Sequence, residues 1–106
     1  IKSDKIIIDP GIGFGKTVAH NLEIINHLKA LNVLRRPLLI GPSRKSFIGH
    51  VLERDVSHRL WGTIVSVSIG ILNGAHVVRV HDVKAIKDAV CMTDAIVNET
   101  ATSMDA

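Results

Sequence analysis

The sequence predicts an α/β fold built on parallel strands, and three observations carry that reading. First, a short apolar run, a polar or glycine-rich turn and then a helical pattern follow one another three times along the chain. Second, the runs (Lys5 to Asp9, Pro37 to Gly41 and Ala75 to Val80) are short and rich in Ile, Leu and Val, as strands covered on both faces are. Third, their C-terminal ends fall at residues 9, 41 and about 79, a spacing that suits helical crossovers. Strand and helix repeated in this way place parallel strands side by side with right-handed connections.

Each connection has its own signature. Leu22, Ile25, Leu28 and Leu31, widened by Ile24, mark a first helix over about residues 19–31. The second connection, residues 46–73, is longer and is expected to break near Asp55. Ser57 is the expected N-cap of its second piece, and Asn73-Gly74 the expected stop. That piece carries Leu60, Ile64, Val67 and Ile71 on one side, and Gly62 and Gly70 permit close packing there. The third helix is expected over residues 83–98, with Ile86, Val90, Thr93 and Val97 as its stripe, followed by a polar tail.

Composition narrows the function. The 106 residues are 46% hydrophobic and 22% charged, which suits one folded domain and excludes disorder. No apolar run approaches the roughly 18 residues a membrane helix needs. A single cysteine, Cys91, cannot pair within the chain and fits a reducing cytoplasmic setting. The net charge of +3 suits small anionic ligands. Nucleic acid fits poorly, because Phe14, Phe47 and Trp61 are the only aromatic residues and no dense basic stripe exists. The chain opens on Ile1, not methionine, and is expected to be a fragment or processed product.

Parallel strands bring their C-terminal ends to one edge, where function concentrates. The residues just past those ends are Asp9 with its glycine loop, then Ser43-Arg44-Lys45-Ser46, then Arg79, His81 and Asp82. The first loop, "DPGIGFGKT", imitates a phosphate cradle and fails both tests for one. A nucleotide P-loop needs glycine where Pro10 stands, and Gly11, Gly13 and Gly15 give G-x-G-x-G where a dinucleotide turn needs G-x-G-x-x-G. Asp9 at a strand end can accept N–H groups from a flat heterocycle or from its own turn. Phe14 can lie against a ring or enter the core. Ser43 and Ser46 flank a helix start suited to a carboxylate or phosphate, or to ordinary capping. Lys45 is either a solvated charge or a ligand contact. Alternation puts Arg79 and His81 on one side of the third strand, an anion clamp or a structural pair. The remaining histidines show no metal-ligand spacing.

The blocks "IIIDPGIGFGKT", "GPSRKSFIG", "RLWGT" and "RVHDV", in this order and spacing, resemble dihydropteroate synthase of folate biosynthesis, over about residues 5–98. The resemblance implies a (β/α)8 TIM barrel of which residues 1–106 are a C-terminal part, the last three βα units. It implies a transferase that joins 6-hydroxymethyl-7,8-dihydropterin diphosphate to p-aminobenzoate with release of diphosphate, and that sulfonamides inhibit. Carried over by position, Asp9, Lys45 and Arg79 bind the pterin. Phe14, Ser43 and Ser46 bind p-aminobenzoate, and Arg79 and His81 bind the diphosphate. Lys45 and Arg79 orient the substrates, and no side chain is a nucleophile. Mg2+ shares the diphosphate charge, with its ligand expected in the N-terminal part and none in this chain. A homodimer is implied for the full-length enzyme, and the helix carrying Trp61 is compatible with it.

Two departures stand out. Pro42 occupies a position where the family pattern leads one to expect a small or apolar residue, and it keeps Gly41 away from helical angles. The family's first five strands are absent, so the isolated chain is expected to be inactive and to expose two sheet edges. The rival readings are a methyltetrahydrofolate-dependent methyltransferase barrel, against which the Ser-Arg-Lys-Ser block argues, and a non-enzymatic fragment.

Overall fold

The computed structural model describes residues 6–13, 17–42 and 45–99 of the chain. Two strands, β1 (Leu39–Ile40) and β2 (Val77–Val78), pair in parallel, with Leu39 opposite Val77 and Ile40 opposite Val78. A parallel bridge between Ile8 and Leu38 adds the first run on the other side of β1. The backbone bonds alternate as a parallel ladder requires: Ile8 N–H to Pro37 O and Leu39 N–H to Ile8 O, both 2.8 Å, then Val77 N–H to Leu38 O at 3.0 Å and Arg79 N–H to Ile40 O at 2.9 Å. The three apolar runs therefore lie side by side in chain order, as the sequence predicts. Regular pairing is shorter than the runs themselves.

Helix α1 spans Val18–Asn26 and is capped by Thr17, whose hydroxyl accepts the His20 N–H at 3.1 Å. It ends earlier than expected. Residues Leu28–Leu34 form a 3-10 helix, closed at Arg35 in a left-handed conformation. Leu22, Ile25, Leu28, Leu31 and Leu34 recur every third residue, a spacing that both helix types accommodate, so the sequence pattern did not mark the change. Leu28 is buried and Leu31 partly so, while Leu22 and Leu34 remain exposed.

The long second connection breaks where expected. Helix α2 covers Ser46–Leu52 and stops at Glu53, which takes a left-handed conformation. A single 3-10 turn, Val56–His58, precedes α3 (Leu60–Leu72). Ser57 is not the α3 cap: its hydroxyl instead donates to Asp55 Oδ1 at 2.8 Å within the 3-10 turn, and Arg59 holds the cap position. The Asn73-Gly74 stop is observed, with Gly74 at φ +106. Asn73 also donates its side-chain amide to the Ile25 and Asn26 carbonyls, at 2.8 and 3.2 Å, and so closes the open end of α1. Helix α4 runs over Val83–Asn98, the bounds read from the sequence.

The core forms where α1, α2 and α3 meet the strands. Ile12, Ile25, Leu28, Leu38, Ile40, Phe47, Ile48 and Ala75 form one buried cluster. Gly70 of α3 lies against the Ile40 side chain and Gly62 against Ile48, so both glycines serve the close packing expected of them. Pro42 is buried two residues past β1. Helix α4 packs on α3, where a hydroxyl pair, Ser68 with Thr93, meets at 3.0 Å, and α4 buries Ile86. No helix among the described residues is long and apolar enough to cross a membrane.

Candidate functional site

The segments that follow the three runs carry the candidate side chains. Asp9 stands one residue past the Ile8 bridge. Its Oδ1 accepts the Gly11 N–H at 2.8 Å, which tightens the turn, and its Oδ2 faces Arg79 Nη2 at 3.9 Å. The turn-bonding reading of Asp9 is thus observed, and its second oxygen looks toward the cation. Arg79 follows β2 and exposes 57% of its side chain, Asp9 37%. At that distance and exposure the pair contributes little stability, and the guanidinium stays accessible to an incoming anion.

Lys45 reaches the same place from the residue before α2. Its Nζ donates to the Ile12 carbonyl at 2.6 Å. Partial burial pulls its pKa below the usual lysine value, and the Arg79 charge pulls it further, while Asp9 acts in the opposite direction. Asp9, Lys45 and Arg79 thus form one electrostatic group, with two cations to one carboxylate. Their common field favours an anionic or electron-rich ligand.

Two glycines form the floor beneath these cations. Gly13, at φ +88, lies under the Lys45 stem, where a Cβ would stand 2.5 Å from Cδ. Gly41, at the end of β1, lies under the Arg79 guanidinium, where a Cβ would stand 2.9 Å from Nη2. The loop's glycines thus accommodate side chains from other strand ends as well as a turn.

The other expected residues divide. Ser46 is exposed and opens α2, but Lys45, not a serine, holds the N-cap position. His81 is exposed on the bend between β2 and α4. Phe14 and Ser43 lie outside the described residues. One residue escaped sequence reasoning. Asn21 is buried on α1 and accepts the Gly13 N–H at 2.7 Å. Its signal was a polar residue one turn before Ile25, on the buried stripe. A separate apolar groove, lined by Leu22, Phe47, Val51, Trp61 and Val65, lies among α1, α2 and α3 and has no charged wall. Among the described residues no three His, Cys, Asp or Glu side chains gather to hold a metal ion.

Known proteins resemble this chain in sequence and in fold. The chain is 49% identical over 98 residues to the dihydropteroate synthase of Clostridium beijerinckii, an alignment covering 92% of this chain and 36% of that protein. Among solved structures, the Yersinia pestis enzyme with a pterine-sulfa conjugate superimposes with a TM-score of 0.88 at 41% identity, over 91% of this chain and 37% of that one. A Coxiella burnetii dihydropteroate synthase in complex with pteroic acid gives 0.88 at 39% identity, over 92% and 37%. The chain thus spans about a third of the length of the relatives it matches. The pattern that defines the family described as "Pterin binding enzyme" matches residues 1–81. With that match over most of its length, the chain belongs to the pterin-binding enzyme family.

Proposed function

We propose that this chain is the C-terminal part of a (β/α)8 barrel, its last three βα units, and supplies the pterin and diphosphate edge of a dihydropteroate synthase. The observation that carries the reading is the convergence of Asp9, Lys45 and Arg79 at the ends of three parallel runs. Asp9 Oδ2 accepts N–H groups of the pterin ring, and the Lys45 ammonium bonds the ring's polar edge. Arg79 and His81 hold the diphosphate, and Arg79 also lies against the pterin. Phe14 walls the aminobenzoate ring, while Ser43 and the helix start at Ser46 hold its carboxylate.

In the reaction the arylamine nitrogen of p-aminobenzoate attacks the methylene carbon that bears the diphosphate. The C–N bond forms, the C–O bond breaks, diphosphate departs with the electron pair and the amine loses a proton. No enzyme nucleophile is needed, so catalysis lies in alignment of the partners and stabilisation of the leaving charge. Magnesium is proposed for the whole enzyme. The described residues here do not fit it, because the one carboxylate, Asp9, faces two cations and already serves Gly11, whereas Mg2+ wants an octahedral set of oxygens. A cytoplasmic setting and a homodimer through the Trp61 helix complete the proposal. Three strands cannot close an eight-stranded barrel, so the 106 residues by themselves are expected to be inactive.

The test is a condensation assay on the enzyme that contains these residues, before and after Arg79→Ala. Loss of one preorganised charge contact should lower kcat/KM by about a hundredfold or more. Undiminished turnover would remove Arg79 from the diphosphate site. Transfer of a methyl group from a tetrahydrofolate donor, in place of condensation, would favour the methyltransferase reading.

A further inference from the structure

We propose that Asn21 is a positioning residue: it sets the orientation of the Ile12–Gly13 peptide and thereby the place of the Lys45 ammonium. The inference rests on the reading of Lys45 as a pterin contact.

Asn21 is 2% exposed on the face of α1 that also buries Ile25. A polar group in such a position must have its bonds satisfied. Its Oδ1 accepts the Gly13 N–H at 2.7 Å, and its Nδ2 donates to the Thr17 carbonyl at 3.0 Å. The partners fix the amide's orientation, because a flip would set donor against donor and acceptor against acceptor.

The Gly13 N–H and the Ile12 C=O are opposite ends of one peptide unit. That C=O accepts from Lys45 Nζ at 2.6 Å. A single peptide plane is therefore held at both ends, by Asn21 on the N–H and by Lys45 on the carbonyl. Gly13 lacks the Cβ that would otherwise bias this plane, so glycine alone leaves its orientation open. With Ile12 anchored in the core at 1% exposure, Asn21 supplies the missing constraint. Were the plane to turn over, the carbonyl would leave the ammonium, whose flexible four-carbon stem would no longer be held at the ring's edge.

The experiment compares the wild-type chain with Asn21→Ala, Asn21→Asp and Asn73→Ala. Asn73 is the matched control, since its amide also ties two segments together but far from Lys45 along the chain. Four quantities are read: exchange of the Gly13 amide proton, the Lys45 ammonium resonance, the melting temperature, and affinity for 6-hydroxymethyl-7,8-dihydropterin diphosphate. Asn21→Ala should speed Gly13 exchange about tenfold, shift the Lys45 resonance and weaken binding about tenfold, as loss of one buried bond does. Asn73→Ala should lower the melting temperature and leave the Gly13 and Lys45 signals in place. Asn21→Asp keeps the oxygen that accepts from Gly13, yet buries a carboxylate. It should therefore be less stable than Asn21→Ala but bind more tightly, an order that a purely structural role reverses. Unchanged Gly13 and Lys45 signals in Asn21→Ala overturn the proposal, as do equal effects of the Asn73 change. A wild-type chain that binds no pterin counts against the proposed function alone, because the two ligand-free signals still decide the clamp.

Discussion

Replacing Gly13 with alanine tests the floor beneath Lys45. The residue sits at φ +88, and a left-handed conformation costs an L-residue about 1–2 kcal/mol. The stiffer unfolded chain returns about 0.4–1 kcal/mol. The new methyl would stand 2.5 Å from Lys45 Cδ, so the lysine must swing away and give up its 2.6 Å bond to Ile12 O. A charge-assisted bond contributes about 1.5–3 kcal/mol when buried, and about 1 kcal/mol for a group as exposed as this one. The net destabilisation is then about 1–2.6 kcal/mol. Urea unfolding of the wild type, Gly13→Ala, Lys45→Ala and the double variant separates the two contributions. The overlap exists only when both side chains are present, so the methyl should cost about 1 kcal/mol less in the Lys45→Ala background. Equal costs in the two backgrounds, within about 0.3 kcal/mol, would refute the arrangement of Lys45 over Gly13.

The Lys45 titration offers a second check: by NMR, Arg79→Ala should raise its pKa toward the usual lysine value, and Asp9→Asn should lower it further. Since its folded pKa lies below its unfolded one, the unfolded chain holds more protons between the two, so this group's contribution to stability rises with pH across that window. Ile40→Ala should cost about 2–5 kcal/mol in urea unfolding, because Ile40 is fully buried against Gly70. Trp61→Ala, at 75% exposure, should stay within about 0.5 kcal/mol for the monomer. Thr17→Ala should cost about 1 kcal/mol through the lost cap, and equal thermal stability of that variant and the wild type would contradict the capping bond.

Much of the fold was legible because periodicity is local. The α4 bounds, the break near Asp55, the Asn73-Gly74 stop and the packing roles of Gly62 and Gly70 all follow from short-range spacing and from residues with singular backbone preferences. The same reasoning overextended α1, since a three-residue leucine period fits α- and 3-10 helices nearly alike until tertiary packing chooses. Ser57 misled for a related reason. A serine caps whichever turn brings an N–H or a carboxylate within reach, and here Asp55 was nearer than the start of α3.

By itself, the sequence determined that three parallel runs end at Asp9, Gly41 and Arg79, and hence that a carboxylate and two cations share an edge. Strand direction brings the run ends together, while Lys45, in the loop past Gly41, stayed open between a solvated charge and a ligand contact. Only the tertiary structure decided how those groups meet: Lys45 on the Ile12 carbonyl, Arg79 over Gly41, and Asn21 holding the Gly13 N–H. Each of these contacts needs a backbone atom or an absent Cβ, which have no letter of their own in the sequence. They exist because residues distant along the chain are brought within about 3 Å, the reach of a hydrogen bond.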